Sequence, residues 1–317
     1  MLVWIGFLAL VTLFLALDLG VFNKNAHVIS VKEASIWTAI WVTLALLFSF
    51  VVHWVYANGY VANPTNITPN DASLKYITGY LIEKSLSIDN IFVIAVIFKS
   101  FKIPMIYQHR VLFWGVFGAI IFRAIMIFFG VLLINKFSFM TYIFGAFLLF
   151  TAFKMLRKQE EEEEFNPKKS WIYRNIRKVI PITSQIDKER FWVRKKHLLV
   201  ATPLFVALIV IEIMDVLFAI DSVPAILAIT ADPFLVFTSN IFAILGLRSM
   251  YFFLSNMLKK FQYLEYSLIA ILTFVGIKML FVHYYKLPEW ASLGFISLAL
   301  TIGIWISIKK MNEVTEE

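Results

Sequence analysis

Two stretches decide how this chain is built: GYLIEKSLSIDNIFVIAV at 79–96 and EIMDVLFAIDSVPAILAI at 212–229. Both are apolar enough to lie in lipid, yet each carries a pair of acids six residues apart, Glu83 with Asp89 and Asp215 with Asp221. The segments that follow them also match. FGAIIFRAIMIFFG (117–130) aligns with FAILGLRSMYFFLS (242–255), and YIFGAFLLFTAFKML (142–156) with SLIAILTFVGIKML (267–280). Arg123 then falls on Arg248, and Lys154 on Lys278. Shared apolar composition does not place charges in the same order, so the two stretches read as copies of one three-span unit. Three is odd, so the second copy enters from the opposite face, which makes an inverted-topology repeat of the kind found in secondary transporters.

Working outward, the 317 residues are 60% hydrophobic and 16% charged. A soluble domain runs nearer 45–50% apolar and about 25% charged. That excludes an ordinary cytosolic enzyme, a disordered chain and a nucleic-acid-binding one. There is no cysteine, which removes disulfides, thiolate metal sites and cysteine nucleophiles. Nine runs are long enough to cross a bilayer: 2–22, 34–57, 74–98, 111–134, 139–156, 198–230, 234–258, 266–285 and 290–308. The expected fold is an all-α polytopic membrane protein with nine transmembrane helices, spans 3–5 and 6–8 forming the repeat. Its organisation reads as two N-terminal spans (1–57), a first repeat (74–156), a charged loop (157–197), a second repeat (198–285), and a last span with its tail (290–317).

The net charge of +8 sits mostly between the runs. With the loop 157–197 fixed inside, 21 Lys and Arg fall in inside loops, against Lys75, Lys136 and Lys286 outside. The expected orientation is N-terminus out and C-terminus in, in the inner (plasma) membrane. Glu160–Glu164, inside that loop, reads as a solvated segment.

The charges inside the spans point to function. Six acids lie there: Asp18, Glu83, Asp89, Glu212, Asp215 and Asp221. Each costs about 2.5–3.5 kcal/mol at mid-bilayer, so they must face protein, pair or bind something. On a straight helix Asp215 and Asp221 stand about 240° apart. Pro224 lacks an N–H and crowds the carbonyl of Ile220, which predicts a break in the sixth span near 220–224. In the third span Ser85, Ser87 and Asn90 compete for backbone bonds and predict a similar break. Carboxylates beside unwound carbonyls make a cation site. Oxygen ligands suit hard divalent ions such as Mg²⁺, Ca²⁺ and Mn²⁺. The candidate metal ligands are Glu83, Asp89, Glu212, Asp215 and Asp221. Asn90, Ser222, Met214 and Asp18 are auxiliary candidates; Met214 suits core packing as well as a soft ligand. Arg123, Arg248, Lys154 and Lys278 are expected to balance charge.

These motifs, with DPFLVFTSNIFAILGLRSMYF, FLALDLGVF, HRVLFWGVFGAI and FWVRKKHLLVATPL, strongly resemble the TerC family of membrane proteins, and in particular its Alx-like branch. The resemblance covers nearly the whole chain. It implies nine spans and a role in Mn²⁺ export and manganese homeostasis, with the family's acidic motif falling on Glu83, Asp89, Glu212, Asp215 and Asp221. It also implies a link to tellurium resistance, from which the family takes its name. Mn²⁺ is then the transported ion, with no organic cofactor. The expected partners are the metal ion and the bilayer, with a second copy of the chain or the secretion machinery as further contacts and no nucleic acid. The alternative function is a membrane partner that delivers Mn²⁺ to exported proteins. No phosphate-binding loop, H-E-x-x-H or G-x-S-x-G motif is present, so no catalytic residue is expected and the chain does not read as an enzyme.

Overall fold

The computed structural model describes residues 2–20, 29–137, 139–158, 171–183, 185–195, 198–255, 264–281, 284 and 287–315. Its helices are α1 (Leu2–Gly20), α2 (Val31–Ala57), α3 (Pro69–Ser100), α4 (Met105–Lys136), α5 (Met140–Lys158) and α6 (Trp171–Val179), followed by α7 (Pro203–Leu227), α8 (Pro233–Leu245), α9 (Leu247–Ser255), α10 (Leu264–Leu280) and α11 (Glu289–Thr315). Between α6 and α7, strands β1 (Trp192–Lys195) and β2 (Leu198–Ala201) pair antiparallel.

Local chemistry explains where the inner helices start. Thr68 caps α3 by accepting from the Asp71 amide, with Pro69 in the first turn. Asp232 caps α8 through the amides of Phe234 and Leu235 at 2.9 and 3.2 Å, again with a proline, Pro233, just inside. Such caps satisfy donors that a helix start leaves orphaned.

Among the described residues, five helices are long and apolar enough to cross a membrane: α2, α4, α7, the stretch Met140–Arg157 of α5 and the stretch Glu289–Ser307 of α11. Helices α8 and α9, bent by 42° at their junction, make a sixth if they count as one broken span. The outer faces suit lipid. On α4, Trp114, Phe117, Ile121, Ile125, Phe128 and Leu132 are all exposed, at three- and four-residue spacing. Inward faces form three main apolar clusters, two of them at opposite ends of α3, α4 and α7 and the third joining α1 and α2 to α3 and α8. Helix α5 packs closely on α10: a Cβ at Gly145 would stand 3.1 Å from the carbonyl oxygen of Gly276, and one at Gly276 would stand 3.0 Å from that of Gly145.

Three expectations are corrected. Residues 198–201 are strand rather than the start of the sixth span, because they pair with 192–195. Neither α3 nor α7 is broken. Pro224 lies inside α7 but in its final turn, where Ala228 closes the helix by donating to the Pro224 carbonyl. The helix forfeits the one bond to the Ile220 carbonyl, and with a single turn left beyond Pro224 little helix remains to be redirected. Ser85, Ser87 and Asn90 are buried within an unbroken α3. The break falls instead in the seventh apolar run, at Gly246 between α8 and α9. The Glu160–Glu164 run lies outside the described residues.

Candidate functional site

Arg123 projects from α4 into the space between α3, α7 and α8, and only 1% of it is exposed. Its guanidinium forks onto Asp215 of α7: Nη2 stands 3.0 Å from Oδ1 and Nε 3.3 Å from Oδ2. Nη1 pairs with Oε1 of Glu83 on α3. Nη1 also donates to Ser222 Oγ and Asn240 Oδ1, both at 3.3 Å. Asn240, on α8, donates its Nδ2 to the other Glu83 oxygen at 3.2 Å. Four helices thus meet in one buried network of two carboxylates, one guanidinium, one hydroxyl and one amide. The planar, multi-donor shape of arginine is what lets one side chain hold two acids. Summed, the charges leave one negative in excess, which suits a cation.

Glu212 lies one helical turn before Asp215. Its carboxylate rests against Gly118 of α4, where any Cβ would collide with it. Its Oε2 is buried without a hydrogen-bond partner among the described residues. An unsatisfied buried acceptor costs about 1–3 kcal/mol, so Glu212 holds an unused ligand oxygen beside the network. On the other side, Lys84 of α3 donates from Nζ to the Ala243 carbonyl of α8 at 3.3 Å.

The remaining expected residues lie elsewhere. Asp221 accepts from Thr151 Oγ1 of α5 at 3.1 Å and feels the charge of Lys154, which is itself exposed. The helical period explains this: six residues turn Asp221 away from the face that carries Asp215. Lys278 is bonded to Ser292 Oγ at 2.9 Å and Glu289 Oε2 at 3.4 Å, near the start of α11. Arg248 is buried in α9, where it lines a small cleft with Glu33 and Trp37 of α2. Among the four expected charge-balancing residues, Arg123 is the one at the network. Met214 packs against an apolar cluster, and Asn90 is buried. Asp89 and Asp18 lie on α3 and α1, but their side chains fall outside what the structure describes. Among the described residues no three acids or histidines gather as a metal would require. Arg123 joins the carboxylates of Glu83 and Asp215.

Sequence reasoning missed Asn240, Lys84 and Gly118 as parts of this neighbourhood, and Thr151 as the partner of Asp221. A polar Thr-Ser-Asn at 238–240 inside an apolar run was the available signal for Asn240. Gly118 carries none until Glu212 is seen against it. A cleft of about 790 Å³ opens where α7 ends, lined by Asp71, Lys75, Asn135, Thr230 and Asp232 among others.

A family model described as "Integral membrane protein TerC family" matches residues 68–314. A Myxococcus xanthus protein named "Uncharacterized membrane protein STKORF319" is 47% identical over 307 residues, covering 97% of this chain and 92% of its own. An Escherichia coli K12 protein named "Putative membrane-bound redox modulator Alx" is 45% identical over 313 residues, covering 97% and 96%. A Rickettsia bellii protein named "Uncharacterized membrane protein" is 42% identical over 314 residues, covering 99% of both. No solved structure matches.

Proposed function

Because the chain belongs to the TerC family of integral membrane proteins, we propose that it exports a divalent metal ion, Mn²⁺ foremost, through the buried centre around Glu83 and Asp215. Arg123 carries this reading. It sits as a tethered cation between two carboxylates, one from each of the helices that align in the sequence repeat. A divalent ion satisfies the same two acids, so metal and guanidinium are competitors for one position. Glu212 adds a carboxylate oxygen that now has no partner, and Ser222 and Asn240 add hydroxyl and amide oxygens. That all-oxygen set suits a hard divalent ion. Asp89 and Asp221 are the further acids of the route, and their protonation is the means of coupling to H⁺. Mn²⁺ is cargo, no organic cofactor takes part, and no residue is catalytic.

The proposed frame is nine spans, with α1, α3 and α10 crossing alongside the six apolar candidates. The charges that keep α3 from looking like a span face the protein interior at Glu83 and Lys84. An inverted repeat of α3–α5 with α7–α10 is supported by the packing. The contact of α3 with α8 is mirrored by that of α7 with α4, while α5 and α10 meet each other. The N-terminus is proposed outside and the 157–197 loop inside, in the inner membrane.

Several relatives carry the name redox modulator. This chain has no cysteine, so thiol–disulfide exchange is closed to its own side chains. Purified protein in liposomes tests the proposal. Mn²⁺ should cross, ahead of Ca²⁺ and Zn²⁺, and Asp215→Asn should stop it. Absence of Mn²⁺ flux from active-oriented protein would leave the role of a membrane partner delivering Mn²⁺ to exported proteins as the better account.

A further inference from the structure

We infer that the ammonium of Lys84 is a built-in cation at the broken span, filling the position where a broken-helix transporter otherwise binds an alkali ion, so that this chain needs no Na⁺ or K⁺. Its flux consequence rests on the transport reading above; its stability consequence does not.

The argument begins at Gly246. A helix that stops mid-protein presents carbonyl oxygens and the negative end of its dipole. In broken-helix transporters such half-helix ends coordinate Na⁺. Here α8 stops at Leu245 and α9 departs at 42°. Lys84 Nζ stands at that end, 3.3 Å from the Ala243 carbonyl oxygen. A Cβ on Gly246 would come within 2.8 Å of the same Nζ, so the ammonium lies directly against the break.

The position is tied to the charge network. Glu83 and Lys84 are consecutive, so their side chains diverge by about 100°. Both still reach α8, Glu83 through Asn240 and Lys84 through Ala243, three residues further on. The repeat supplies an independent comparison. With Glu83 on Asp215, Lys84 falls on Val216; with Arg123 on Arg248, Gly246 falls on Ile121. The mirrored contact, of α7 with α4, lacks both the lysine and the break, since α4 runs unbroken from Met105 to Lys136. Lysine and break meet in the contact of α3 with α8, and neither occurs in its mirror.

Two measurements decide it. In detergent, the wild-type Tm should be the same in NaCl, LiCl, KCl and choline chloride at equal ionic strength. Lys84→Met should melt about 2–4 °C lower in choline and regain that loss, saturably, in NaCl or LiCl. In liposomes, wild-type Mn²⁺ flux should ignore the choice of Na⁺, K⁺ or choline, whereas Lys84→Met should require Na⁺ or Li⁺. An Na⁺-specific gain in wild-type Tm or flux overturns the inference, because the position would then be open. So does a Lys84→Met protein whose Tm no alkali ion restores, because the lysine would then be a packing element. If Lys84→Met does not fold, Lys84→Gln takes its place: it removes the ammonium while leaving Gly246 open, and the same alkali-ion response is required of it. If wild type moves no Mn²⁺ under any condition, the transport reading falls while the Tm comparison still decides the role of Lys84.

Discussion

Replacing Arg123 by methionine keeps an unbranched stem and removes the guanidinium with its charge. The change takes away both bonds to Asp215, the pair with Glu83, and the bonds to Ser222 and Asn240. Two acids are left buried together with no counter-charge from α4. Removing one partner of a buried pair costs about 3–5 kcal/mol. Here a single arginine serves two carboxylates, so the upper end is expected. At roughly 2–4 °C per kcal/mol for a chain of this size class, Tm should fall by about 10–20 °C. The discriminating variant is the triple change Arg123→Met with Glu83→Gln and Asp215→Asn. It removes all three charges while keeping side chains that can bond to one another. Replacing a whole buried ionic group is often near neutral, so most of the lost Tm should return. Tryptophan-fluorescence melting in detergent reads both proteins. A triple variant less stable than Arg123→Met alone would mean the losses simply add, and the network would not be an interdependent unit.

Gly118→Ala should push the Glu212 carboxylate out of its place and lower Tm, and adding Glu212→Ala should recover the loss, which melting curves of the two variants would show. Restoration failing in the double variant would place the strain elsewhere. Asp89→Asn and Asp221→Asn should each abolish Mn²⁺ efflux with little change in folded yield. If cells carrying either variant, present at normal level, still resist Mn²⁺, that acid is structural. For orientation, Glu163→Cys should resist an impermeant thiol reagent in intact cells while Thr65→Cys labels; the reverse pattern would invert the proposed topology.

Much of the helix layout was legible because apolar run length is local information: α2 and α5 begin and end within three residues of the runs that predicted them, while α4 starts six residues before its run. The breaks were not legible in the same way. Pro224 carries the strongest local signal, but its effect depends on how much helix follows, and only one turn does. Gly246 carries a weak signal, because glycine is common in membrane helices. What marks it is Lys84, 162 positions earlier in the chain and meeting it only after folding. The acids at 83 and 215 were legible as a pair through the repeat. Their joining by Arg123 was not, since repeat symmetry gives Arg248 an equal claim and the fold places Arg248 against α2 instead.

The glycines at 145 and 276 have a mechanical consequence. Where α5 crosses α10, a Cβ on either glycine would stand 3.0–3.1 Å from the other's carbonyl oxygen, and the side chains of Leu149, Met279 and Leu280 close around the pair. Two helices seated this tightly cannot shift along one another without driving a side chain into a backbone. The crossing is the bundle's rivet: it fixes α5 and α10 as one piece that can only move together.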